Sequence, residues 1–246
     1  MSNKWIIRGL LIATLALGAF YAYDNFVSPY RSTPDIVGSM MTDDDVVVST
    51  TPRLTFRPAD HEPTVGVIFY TGARVDPDAY APIARQVADD GYLVVIVKHP
   101  FNFAVLGVSA ASDVLLEYPE ISSWIMAGHS MGGAMAAEFA ERNQRISGLI
   151  LLASYPDGSS NLAFRNLNTL VVYGSEDGLA PPAEIEQKSA DLLPKSAELV
   201  LIPGGNHAQF GNYGPQIGDG LASITRNDQQ AACVKAILGF LRQYRS

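Results

Sequence analysis

Trp124-Ile-Met-Ala-Gly-His-Ser-Met-Gly-Gly133 decides the fold. Trp124–Ala127 is a short apolar run, as a buried strand requires, and an alanine-rich stretch from Gly133 to about Arg142 reads as a helix. Between them, Gly128-His-Ser-Met-Gly132 fits G-x-S-x-G in the strand–turn–helix setting that gives the pattern its meaning. The turn is so tight that its serine is strained, and Gly128 and Gly132 leave room for it. Ser130 is thereby pushed clear of the sheet, at the amino end of the following helix, where negative charge is favoured. Ser130 is the candidate nucleophile.

Working outward, strands and helices alternate. Val46–Thr50 and Leu54–Pro58 read as an opening antiparallel pair, and Val65–Tyr70 as a doubly buried strand. A helix follows, with Asp76 as N-cap, Pro77 in its first turn and Gly91 at its end. Strands at Tyr92–Val97, Gly148–Ala153, Thr169–Tyr173 and Ala197–Ile202 continue the pattern. Helices are expected at 109–116, after Pro181 and Pro182, and at the end of the chain, capped by Asp228. The implied fold class is α/β, a mainly parallel, doubly wound sheet covered on both faces. Function in such sheets gathers at the loops leaving the carboxyl ends of the strands.

A serine hydroxyl needs an adjacent base. Of the four histidines, His61 lies in a polar stretch, His99 precedes Ser130 in chain order, and His129 is too close along the chain to fold back on it. His207 remains, in the glycine-flanked loop after the last strand, and is the candidate base. The third member should lie between them in order, after a strand. Asp177 in Gly174-Ser-Glu-Asp-Gly178 fits, with Glu176 and Asp157 as competitors that read as surface turn residues. An oxyanion would need two backbone N–H donors. Met131, after the nucleophile, and Ala73, in the loop Thr71-Gly-Ala-Arg-Val75, are the expected pair.

Four segments carry a resemblance: Phe69–Pro77, Gly128–Gly133, Gly174–Gly178 and Gly205–Gly214. From about Val46 onward the chain resembles the α/β-hydrolase superfamily, and more narrowly a group of anchored bacterial hydrolases with one amino-terminal hydrophobic helix. The resemblance implies a Ser-His-Asp triad acting on a carboxyl ester, thioester or amide, with no cofactor and no metal. Dienelactone hydrolases are similar in size but use a cysteine where this chain has Ser130. Many hydrolases have His-Gly where this chain has Thr71-Gly72, so any help from a histidine side chain there is lost.

Other features bound the reading. A length of 246 residues, 48% of them apolar, suits one large domain. A net charge of −8 argues against a nucleic-acid partner. The lone Cys233 sits in an apolar helical pattern and reads as core. Ser154–Asn168 is too short for a folded cap, so no cap domain and an open site are expected. Tyr213, Gln216 and Asp219, in the glycine-rich loop after His207, are expected either to line the pocket or to hold that loop; Phe101, Phe103 and Tyr155 are either pocket walls or core.

At the amino terminus, Lys4 and Arg8 precede an apolar run from Gly9 to Tyr23. The reading is a membrane anchor at 1–23, a linker at 24–45 and the hydrolase-like domain at 46–246. The charge asymmetry places that domain outside the cytoplasm; a cleaved signal and secretion are the alternative. The expected partners are a small-molecule ester and, through the anchor, a membrane. A lipase or thioesterase acting on acyl chains, and a non-catalytic binding module on the same scaffold, are the competing functions.

Overall fold

In a computed structural model of the chain, residues 28–245 are described, together with Thr14, Leu15, Leu17 and Gly18, which are helical. The expected anchor lies outside the described residues, those four apart. Among the described residues no helix is long and apolar enough to cross a membrane.

Eight strands form one sheet: β1 (Val46–Ser49), β2 (Leu54–Pro58), β3 (Val65–Tyr70), β4 (Leu93–Val97), β5 (Ser123–His129), β6 (Ile146–Leu152), β7 (Asn168–Gly174) and β8 (Glu198–Ile202). Their order is β1-β2-β4-β3-β5-β6-β7-β8. β1 and β2 are antiparallel to each other, β2 is antiparallel to β4, and every other pair is parallel. The α-helices are α1 (Ala81–Asp89), α2 (Ala111–Glu117), α3 (Met131–Arg142), α4 (Pro182–Leu192) and α5 (Arg226–Leu241).

The strands are apolar along their length because both faces are covered. Successive side chains feed opposite cores. Val67, Phe69, Val94, Ile96, Ile125 and Ala127 join Ile83 and Val87 of α1 and Val234 and Ile237 of α5. Their neighbours Ile68, Tyr70, Val95, Trp124 and Met126 join Val114 of α2, Phe139 of α3 and Ile185 of α4. Cys233 is fully buried in the first of these cores, and burial pushes its thiol pKa up.

Several local expectations are corrected. Asp76 does not cap α1: Pro77–Tyr80 first make a 3-10 turn, and the Asp76 carboxylate instead accepts from Asn102 Nδ2 at 3.1 Å. Thr225, not Asp228, is the N-cap of α5; its hydroxyl accepts from the Asp228 N–H at 3.1 Å. Residues 28–45, read as linker, lie against the domain in an ordered path. Tyr30 pairs with Val75, Ile36 is buried in a 3-10 turn, and Asp35 meets Arg226 and Asn212. The connection from β6 to β7, residues 153–167, holds neither helix nor strand, in keeping with an open site.

Candidate active site

β5 runs through the middle of the sheet and delivers Ser130 at its carboxyl end. Ser130 has φ +54° and ψ −128°, a conformation that L residues adopt only under constraint. The constraint is packing. A side chain at Gly132 would overlap the Tyr70 and Thr71 carbonyl oxygens, and one at Gly128 would strike the Gly132 backbone. The first turn of α3 thus lies flat on the end of β3. Ser154 Oγ donates to the Ser130 carbonyl at 2.7 Å and ties the elbow to the end of β6.

His207 and Asp177 come from the loops after β8 and β7. Those loops are pressed together: a Cβ at Gly174 would overlap the Gly205 carbonyl, which accepts the Glu176 N–H at 2.8 Å. His207 Nδ1 and Asp177 Oδ2 are 2.8 Å apart, with both side chains almost wholly buried. The other Asp177 oxygen accepts from the Leu179 and Ala180 N–H groups at 2.9 and 2.7 Å, which fixes the carboxylate. A carboxylate on Nδ1 puts the imidazole proton there and leaves the Nε2 lone pair available. Nε2 is buried and, among the described residues, makes no hydrogen bond, to Ser130 or to any other group. Glu176 and Asp157 are exposed; Asp157 caps its own turn at Ser159.

Ser130 and His207 share the wall of a cavity of about 470 Å³. Its other walls are mainly apolar, from Val105, Met131, Met135 and Leu179, with Tyr155, Asp157 and Gln216 at polar points. The Tyr155 hydroxyl donates to Glu184 at 2.7 Å; burial, then that carboxylate, push its pKa up to about 12. Phe101 is exposed and does not line the cavity.

The loop after β3, Thr71–Val75, is held by a buried chain with no mark in the sequence. Tyr80 Oη accepts the Gly72 N–H at 3.0 Å and lies 2.9 Å from His129 Nδ1. The hydroxyl thus joins the loop after β3 to the ring at the end of β5. Burial first, then the neighbouring His207, hold the His129 pKa well below its ordinary value, so the ring is neutral. Its ring lies 4.6 Å from that of His207. In the loop itself, the N–H groups of Gly72, Arg74 and Val75 all have partners, whereas Ala73 N–H has none among the described residues. Ala73 N–H is thus available as a donor.

Of the two roles expected for Asp219, lining the pocket or holding its loop, it takes the second. Its Oδ1 accepts from the N–H groups of Gly178, His207 and Gly220 at 3.2, 3.2 and 2.8 Å, and its Oδ2 from Ala208 at 2.8 Å. One carboxylate therefore pins the Asp177 loop to the His207 loop. Gln229 of α5 adds a two-way clamp on the Asn206 backbone, at 2.9 and 2.7 Å. His99 is buried against Tyr70, with ring centroids 4.5 Å apart, and is not among the residues lining the cavity.

This strand order and the strained serine elbow are accompanied by a sequence match: residues 66–231 fit the model of the alpha/beta hydrolase family. The chain belongs to the α/β hydrolase family. No curated protein matches its sequence. Among solved structures, it is similar to a ferulic acid esterase from Streptomyces cinnamoneus, at 19% identity, 76% of this chain, 68% of that one and a TM-score of 0.59. It is also similar to Est1E from Butyrivibrio proteoclasticus, at 14% identity, 80% of this chain, 99% of that one and a TM-score of 0.54. TT1662 from Thermus thermophilus is a third, at 13% identity, 81% of this chain, 99% of that one and a TM-score of 0.57. At such identities these likenesses speak for the fold, and the α/β hydrolase's chemistry has to be read from its own residues.

Proposed function

We propose that this α/β hydrolase cleaves carboxylic esters through an acyl-enzyme formed on Ser130. One observation carries the reading. His207 is oriented on Nδ1 by the buried Asp177 at 2.8 Å, while its Nε2 is unpartnered beside the cavity that Ser130 lines. The resting structure has no bond from Ser130 to Nε2, and catalytic hydrogen bonds of this kind commonly close only when substrate is bound.

Ser130 Oγ attacks the ester carbonyl carbon as His207 Nε2 takes the hydroxyl proton. The carbonyl oxygen becomes an oxyanion, held by the N–H groups of Ala73 and Met131. Collapse breaks the bond to the alcohol, which leaves with the proton from His207. Water then attacks the acyl carbon, giving its proton to Nε2, and the acid departs as Ser130 recovers its hydrogen. Asp177 stabilises the imidazolium throughout. The apolar walls and modest volume of the cavity favour an uncharged acyl or alcohol group. The apolar run 9–23, with Lys4 and Arg8 before it, supports an anchored domain outside the cytoplasm.

Turnover of p-nitrophenyl esters of increasing chain length by the full chain tests this. Hydrolysis by the native protein and none by Ser130→Ala is expected, and the chain-length profile separates small esters from long acyl chains. No turnover across the series by folded protein, or turnover retained in Ser130→Ala, overturns it.

A further inference from the structure

We propose that the carboxyl edge of the sheet, which carries the cavity, docks on the surface of a lipid bilayer. The first observation is where the described chain begins. Ser28 O accepts from Arg74 Nε at 2.7 Å, Tyr30 N–H bonds Arg74 O at 2.8 Å, and Asp76 N–H bonds Tyr30 O at 3.0 Å. The Tyr30 ring lies 5.7 Å from that of Tyr213 and under the Arg74 guanidinium. The chain thus enters the domain at the loop after β3, next to Ala73, on the same edge as the cavity.

The second is the length of chain upstream. The apolar run preceded by Lys4 and Arg8 ends at Tyr23, five residues before Ser28. Five residues reach at most about 18 Å. A domain of this length is roughly 45 Å across. A bilayer that holds the run therefore lies near the entry edge, and the opposite edge cannot be brought down to it.

The third is what that edge exposes. Phe101 is 74% exposed, Val105 51%, Ile217 80% and Leu221 92%, all on loops leaving the carboxyl ends of β4 and β8. Leu179, after β7, adds to them. Other exposed apolar residues, among them Val37, Met41, Leu116, Phe164 and Leu201, are spread over separate segments of the 3-10 turn that holds Ile36, α2, the β6–β7 connection and the edge strand β8, where single apolar residues are ordinary. A set of exposed apolar side chains on the edge that carries the cavity, two of them (Val105 and Leu179) in its wall, and on the face nearest the apolar run, suits the headgroup–acyl boundary. With a net charge of −8, attraction to anionic lipid is not the driving term, so the surface is defined by apolar insertion.

The test uses the full chain in phosphatidylcholine vesicles. Cysteine is introduced singly as Phe101→Cys, Leu221→Cys or, at the opposite edge, Lys195→Cys, and labelled with an environment-sensitive fluorophore. The native Cys233 is fully buried and stays unlabelled. Doxyl-labelled lipid is expected to quench the probes at 101 and 221 several-fold more than the probe at 195. Equal quenching at all three, quenching at 195 alone, or a chain that does not float with the vesicles overturns the proposal. Repeating it in the Ser130→Ala background is expected to change nothing, since docking uses no chemistry; the outcome is thus separate from that of the ester assay.

Discussion

Asp219 is never close to Ser130 along the chain, yet its four backbone acceptances set where His207 sits. An amide in its place turns one acceptor into a donor that faces N–H groups. Asp219→Asn should therefore lower stability by roughly 1–3 kcal/mol, the worth of part-buried hydrogen bonds to a charged acceptor. It should also reduce kcat with little change in KM, because the base is displaced and the cavity is not; urea unfolding and steady-state kinetics check both, and an unchanged kcat would remove Asp219 from the site's support. At Asp177 the expectation is sharper. Asp177→Asn presents an amide to Nδ1 and favours the wrong tautomer, at a cost of roughly 10⁴ in kcat. Near-normal turnover would show that another group orients the ring. Asp177 could be picked out from its place after a strand, before Gly178 and between Ser130 and His207 in order. Asp219 could be seen only as a loop residue with an open role. Its partners are main-chain groups of two distant loops, and a sequence carries no mark of those.

Elements explain the elbow. β5, the turn and α3 were legible because their signal is local: an apolar run, two glycines at the ends of a short turn, each two residues from the serine, then alanines. What a local signal cannot show is the surface on which α3 lands. The Tyr70 and Thr71 carbonyls leave no room for a Cβ at Gly132. Gly132→Ala should move the start of α3 off β3, lose about 1–3 kcal/mol to overpacking and lower turnover; thermal melting with an ester assay measures it, and a variant matching the native protein in both would mean the elbow is slack. The Tyr80–His129 pair was likewise hidden, since a hydroxyl from the turn before α1 meets a ring at the end of β5. Tyr80→Phe keeps the ring but deprives Gly72 N–H and His129 Nδ1 of partners. A loss of roughly 1–3 kcal/mol is expected, with a fall in kcat as the oxyanion loop loosens. Asp76 shows the opposite error: the capping signal was present, but Asn102 and Arg31 draw its carboxylate away.

At the scale of the molecule, alternation of apolar strands with helices was enough to imply a mainly parallel sheet with two covered faces. The packing of residues 28–45 was not legible, because a polar, proline-containing stretch reads alike whether it spans a gap or lies on a surface. Two of the three buried histidines, His129 and His99, give the whole fold a pH signature. Burial holds His129 well below its ordinary value of 6.5, and lowers His99 as well. A depressed folded pKa means that the unfolded chain binds the proton first. Stability is therefore complete above about pH 6.5 and falls as pH drops from there towards the folded values. The melting temperature should decline between pH 7 and 5, before the carboxylates titrate; a flat or rising profile would mean that these rings are hydrated or charged in the native state.

The central claim is that a strained serine and an oriented imidazole act as one nucleophile. Intact-mass analysis after treatment with a fluorophosphonate tests it most directly. One adduct on the native protein, mapped to Ser130 and absent from folded Ser130→Ala and His207→Ala, is predicted. A folded native protein that takes no adduct, or an adduct that survives either substitution, would contradict it.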